Sequence, residues 1–134
     1  MTNAYRRKIQ IGSERGQSLV EFALALPVLA MLLFAVIQFG IAFNNYVTLT
    51  DATRAGARKA AVGRRLSNPQ STTITAVRNS ATDLRQSDLS VTVSSTWQPG
   101  ADVNVTATYP YSINVLGMVV KSGRLSSTTT ERVE

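Results

Sequence analysis

Twenty-two consecutive residues without a charge, Phe22 to Phe43 (FALALPVLAMLLFAVIQFGIAF), constrain this chain more than any other feature. Nineteen of them are apolar; Pro27, Gln38 and Gly40 are the exceptions. Wound as a helix at about 1.5 Å per residue, the run is roughly 33 Å long, against a hydrocarbon core of about 30 Å. A core helix of a soluble domain seldom carries more than about 14 apolar residues without a polar face, so a membrane span is the better reading. A cleaved secretory signal has an apolar region of about 7–15 residues and then a small-x-small site, and Asn44-Asn45-Tyr46-Val47 supplies none. The segment is therefore expected to be retained as a single-pass helix, with the lipid bilayer as its first partner.

Setting the span aside leaves 91 of the 134 residues, from Asn44 onward, for one small water-soluble unit. A unit of that size buries a limited core, so tethering or assembly with partners contributes to its stability. The chain has no cysteine and no histidine. That removes disulfides, thiolate sites, the commonest general base and the commonest metal ligand. The net charge of +6 divides evenly: residues 1–16 hold Arg6, Arg7, Lys8 and Arg15 against Glu14, and the rest holds ten basic against seven acidic residues. Basic residues flank the span on both sides, since Arg54, Arg58, Lys59, Arg64 and Arg65 follow it. The short N-terminal tail is the more easily retained in the cytoplasm, so we expect the N-terminus inside and the C-terminal domain outside.

At the mouth of the span stands Arg15-Gly16-Gln17-Ser18-Leu19-Val20-Glu21-Phe22. A peptidase working at the membrane face needs an extended, unhindered backbone, which glycine gives most readily. Cleavage between Gly16 and Gln17 would remove the basic tail and leave a new amine one helical turn from Glu21. A carboxylate in hydrocarbon costs about 2.5–3.5 kcal/mol at the bilayer centre and less near its edge, so one held there calls for a partner. In a filament of packed helices, the amine of a neighbouring subunit would neutralise Glu21 and fix the axial register. The plainer reading is a first-turn acid favoured by the helix dipole and snorkelling to the interface. The order of basic tail, glycine, carboxylate and uninterrupted span favours the first.

These residues, with Ala23-Leu24, Leu26-Pro27 and Phe39-Gly40, resemble the opening of TadE-like proteins, minor pilins (pseudopilins) of the tight-adherence or Flp (type IVb) pilus system. Ala52-Thr53-Arg54-Ala55-Gly56-Ala57-Arg58-Lys59-Ala60-Ala61 is similar to that family's basic, small-residue helix, and the ending Thr130 to Glu134 is also familiar. The resemblance is dense over residues 15–61 and diffuse beyond. It implies a bacterial inner-membrane subunit, possible incorporation in a surface pilus, and partners comprising a prepilin peptidase, other pilins and the assembly machinery. It also implies cleavage at Gly16–Gln17 and recognition through Glu21, although Gln17 and Ser18 replace the bulkier apolar start of major pilins.

The expected fold is α+β and pilin-like. A basic leader covers residues 1–16, a long helix covers 17–61, and a small extracytoplasmic domain of one short helix and about three antiparallel strands covers 62–134. From Gln17 to Ala61 the helix would measure about 68 Å, with a bend at Pro27, which lacks a backbone donor and crowds the carbonyl of Ala23. Val47, Ala52, Ala55, Gly56, Lys59 and Ala60 form a small-residue stripe for close packing. Arg54 and Arg58, one turn apart with Asp51 nearby, form a basic stripe that is either solvated or in contact with head groups or acidic neighbours. Gly63 to Ser71 reads as a loop, and Thr73 to Arg85 as a helix with Ile74, Val77, Ala81 and Leu84 on one face. Leu89 to Trp97 and Val103 to Tyr109 read as a hairpin around Gln98–Asp102, ended by Pro110. Ile113 to Val120 has no clear period. Leu125 to Val133 reads as a third, edge strand open to strand pairing.

Catalysis finds no support in this composition: no nucleophile elbow or phosphate loop is present, and Asp51, Asp83, Asp88 and Asp102 are scattered. No cofactor, metal or small-molecule substrate is expected. Arg64-Arg65 lacks neighbouring aromatics, so nucleic acid is not an expected partner. The alternative to a pilin is an uncleaved single-pass membrane protein with an unrelated extracytoplasmic binding domain.

Overall fold

A computed structural model describes residues 13–134, with side chains described from Gly16. The expected leader, with Arg6, Arg7, Lys8, Glu14 and Arg15, lies outside those descriptions apart from the backbone of its last four residues. Helix α1 runs from Ser13 to Ala61 and α2 from Pro69 to Ser80. Strands β1 (Ser90–Ser94), β2 (Asp102–Val115) and β3 (Met118–Arg132) form one antiparallel sheet in the order β1-β2-β3. The expected α+β class and three-stranded sheet are both present.

Up to about Thr48 no described side chain of α1 is buried; beyond it one face is. Leu49, Ala52, Thr53, Gly56, Ala57 and Ala60 turn inward at steps of three and four. Val47 and Lys59, which the small-residue stripe included, instead face outward, because the inward arc passes through Leu49 and Ala57. The size of the inward residues lets α2 approach closely. At Gly56 a side chain would run into the methyl of Val77. The two helices cover one face of the sheet, and the core comprises the helical residues with Val77, Ala81, Leu84, Leu89, Val93, Val103, Val105, Ala107 and Val133. On the sheet's other face, Thr106 bonds Thr128 at 2.9 Å and Thr130 donates to Asn104 at 2.6 Å. These period-2 patterns were legible for β1 and the first half of β2.

Several boundaries differ from expectation, among them the end of β1, which stops at Ser94 rather than Trp97. Asn68-Pro69 is not loop: the Asn68 side chain accepts from Ser71 N–H at 3.0 Å and Pro69 occupies the first helical turn, where its missing N–H costs nothing. The far end of α2 stops at Ser80 rather than Arg85. There the Gln86 amide donates to the Ala81 carbonyl at 2.8 Å, stabilising a turn that still leaves Ala81 and Leu84 buried. Pro110 lies inside β2, paired with Arg124; β1 reaches only as far as Thr108, so no strand on that side waits for the N–H that proline lacks. Finally, Ile113 to Val120 is a hairpin end. Val115 pairs with Met118 around Leu116-Gly117, both with positive φ (51° and 86°), and Val120 bulges from the register. β3 thus begins at Met118, seven residues before the expected Leu125.

The chain's end closes the fold. Val133 is buried, its N–H donates to Ala101 at 2.8 Å, and the N–H of Glu134 donates to the carbonyl of Ala61 at 2.9 Å.

Candidate functional site

The N-terminal half of α1 presents apolar side chains that the other described residues leave largely uncovered. Leu19, Phe22, Leu24, Val28, Leu32, Val36 and Phe39 are each more than half exposed. An apolar belt of this length is stable only under lipid or other apolar helices. The helix is long and apolar enough to cross a membrane.

The residues singled out from the sequence distribute along it. Gly16 and Gln17 lie in the helix's first turns, not in an extended segment. Unwinding that turn is cheap, because the first four N–H groups of a helix have no intrahelical partner and glycine favours no particular backbone state. A side chain at Gly16 would meet nothing within 4 Å, so packing inside this chain does not require glycine there. Glu21 is exposed and accepts from the Gln17 amide at 3.1 Å, one turn away. Pro27 sits within the unbroken helix, so the chain does not unwind locally at that point.

Arg54 and Arg58 lie on the outward face, opposite Ala52, Gly56 and Ala60. Arg54 reaches Asp51 at 3.5 Å, with both side chains largely in solvent. Some 33 residues separate Arg54 from Glu21, about 50 Å of helix, so the structure joins these two groups only through the rod itself. Each of the other expected acids is placed separately: Asp88 near Arg85 at 3.8 Å, Asp102 near Arg132 at 3.8 Å, and Asp83 on the surface.

One feature was missed by sequence reasoning. The β2–β3 hairpin continues past the end of β1 and exposes Leu116, Met118, Val119 and Val120. A cleft between it and α1 is lined by Phe39, Phe43, Tyr46, Tyr111, Ile113 and Lys121. The available signal was two short apolar runs, Val115-Leu116 and Met118–Val120, around a glycine.

Residues 16–58 match the family model of TadE-like protein. No curated protein and no solved structure matches the chain. The matched segment falls wholly within α1 and leaves α2 and the sheet uncovered. The likeness to TadE-like protein therefore lies in the helix that carries Gly16, Glu21, Pro27, Arg54 and Arg58.

Proposed function

We propose that this chain is a membrane-anchored minor pilin, or pseudopilin, of the tight-adherence pilus, matured by a prepilin peptidase between Gly16 and Gln17. The observation that carries the reading is the TadE-like match laid on one helix that has a glycine in its first turns, bears a carboxylate five residues on, and is apolar and exposed beyond it. Two details support it. A side chain at Gly16 would meet no described residue within 4 Å, so the position is open to another molecule. Glu21 is held by Gln17, the residue that would bear the new amine, so the carboxylate can exchange an internal hydrogen bond for a neighbour's ammonium during assembly.

In this reading the protein acts by assembly and not by catalysis, with other pilins and the assembly machinery as partners. The leader stays in the cytoplasm and the sheet domain lies outside the inner membrane. Arg54 and Arg58 form an outward cationic face for head groups or acidic neighbours, and Pro27 bends the helix within the membrane. Intact-mass and N-terminal analysis of membrane-extracted protein tests the central claim. In a host with the cognate peptidase the chain should begin at Gln17, and Gly16→Val should leave the leader attached. A wild-type chain that still carries Arg6 to Arg15 in that host overturns it and leaves an uncleaved single-pass protein.

A further inference from the structure

The sheet lies along the helix in a way that aims its long hairpin at the bilayer. Val105 lies against Gly56, and Tyr111 shares clefts with Ala42 and Phe43. Six strand residues cover about 20 Å, and the thirteen or fourteen helical residues between the same levels cover about the same. So β2 runs antiparallel to α1 at matched rise, from the far end of the domain back toward the apolar span. Leu116 lies five residues past Tyr111, at most about 17 Å further on, which brings the turn level with helical residues well inside the run that ends at Phe43.

We propose that the β2–β3 hairpin end is a second membrane contact, in which Leu116, Met118, Val119 and Val120 enter the leaflet adjoining the sheet domain. The side chains fall in the order that a bilayer surface selects. The apolar tip comes first. Tyr46 and Tyr111 follow, lining one cleft at the level where the helix leaves its apolar run, the depth favoured by amphipathic aromatic rings. Lys121 and Arg124 border the same cleft and can reach phosphate with their stems against apolar surface. No acidic residue occurs from Val103 to Thr130. The acidic groups on neighbouring elements are Asp88, in the adjoining cleft beside Arg85, and Asp51 of α1, near Phe43 and Tyr46 and paired with Arg54.

The turn chemistry points the same way. Leu116 has φ 51°, a left-handed conformation that asparagine or glycine adopts with less strain. A leucine there, 59% exposed, is explained by neither the turn nor the core. Depth is limited by the backbone: past Thr108 both edges of the hairpin are unpaired, so it seats at the boundary of head groups and acyl chains without crossing the core.

The inference rests on α1 spanning the membrane and not on cleavage or a pilus. The full chain, which lacks cysteine, is reconstituted at one copy per nanodisc of phosphatidylethanolamine and phosphatidylglycerol. Single spin labels go at Val119→Cys, at Leu32→Cys in the span and at Thr92→Cys on the outer strand. Power saturation should show the labels at 119 and 32 more accessible to oxygen than to a water-soluble nickel chelate, and the label at 92 the reverse. Lys121→Gln with Arg124→Gln should move the label at 119 toward water. A label at 119 that behaves like the one at 92 overturns the proposal. So does one shielded from both reagents, which would put protein over the tip. If the label at 32 reports water, the span itself fails, and with it this inference.

Discussion

Gly56→Ala is the sharpest test of how the domain is held to its helix. In an exposed helix the exchange would stabilise by about 1 kcal/mol through backbone propensity. Here the added methyl would run into Val77 Cγ2, and Val77 is fully buried, so the collision cannot be relieved by turning into solvent. Overpacking of this kind costs about 1–3 kcal/mol. The net expectation is a loss of up to about 2 kcal/mol. For a domain of this size each kcal/mol lowers Tm by about 4–8 °C. The assay is thermal unfolding of the full chain in mild detergent, followed through the near-ultraviolet circular dichroism of Trp97, a half-buried residue packed on the core. Val77→Ala alone should cost about 2 kcal/mol through lost burial. Combined with Gly56→Ala it should cost clearly less than the sum, because the new methyl occupies vacated space. Strict additivity, or a Tm raised by Gly56→Ala alone, would refute the claim that contact at this position sets the spacing of the two helices.

Three further outcomes follow from local geometry. Thr53 is fully buried, donates to the Thr50 carbonyl and meets the hydroxyls of Ser127 and Thr129 at 3.1 and 3.2 Å. Thr53→Val strands those partners and should cost about 1–3 kcal/mol in the same melt, whereas Thr53→Ser should restore most of it. Asn68→Ala removes the cap of α2 and should cost about 1 kcal/mol, with faster amide exchange confined to the helix's first turn. Arg54→Ala with Arg58→Ala should leave Tm nearly unchanged, since exposed pairs such as Arg54–Asp51 contribute little. If the proposed function holds, loss of co-purification with pilins in that variant reports a surface contact and not misfolding.

How far the sequence could be read depended on whether one residue pattern had one physical meaning. The long helix was legible because nineteen apolar residues in 22 fit little besides a membrane span. Val91 and Val93, and Val103 to Ala107, alternate cleanly because one face of the sheet is covered by helices and the other is wet. Asn68-Pro69 was ambiguous: the same pair ends a chain segment in a turn or caps and opens a helix, and only the hydrogen bond to Ser71 decides between them. Ala81 and Leu84 continue the spacing of Val77 and are buried as that spacing implied, yet they reach the core from a turn, so the pattern gave the right face and the wrong element. Pro110 and Leu116 both break local rules. One is tolerated because β1 stops short, a fact of register that lies some twenty residues away; the other sits in a turn that its own propensity argues against. Of the candidate site, Glu21 and Gly16 were legible as a motif, whereas the place of the exposed hairpin tip depended on which way β2 runs along the helix.

The unbroken course of α1 has a consequence for orientation. With no joint between the apolar run and the domain's own core residues, the domain cannot swivel about a hinge; its compass bearing around the membrane normal is fixed by counting residues from Glu21 to Leu49. Inserting one residue between Phe43 and Leu49 would swing the sheet by about 100° around the rod, whereas inserting seven would bring it back to within about 20° of its bearing and raise it by about 10 Å. Heading and height are therefore separate settings on a single shaft, and a partner that grips Glu21 at one end dictates which side of the sheet its neighbours meet at the other.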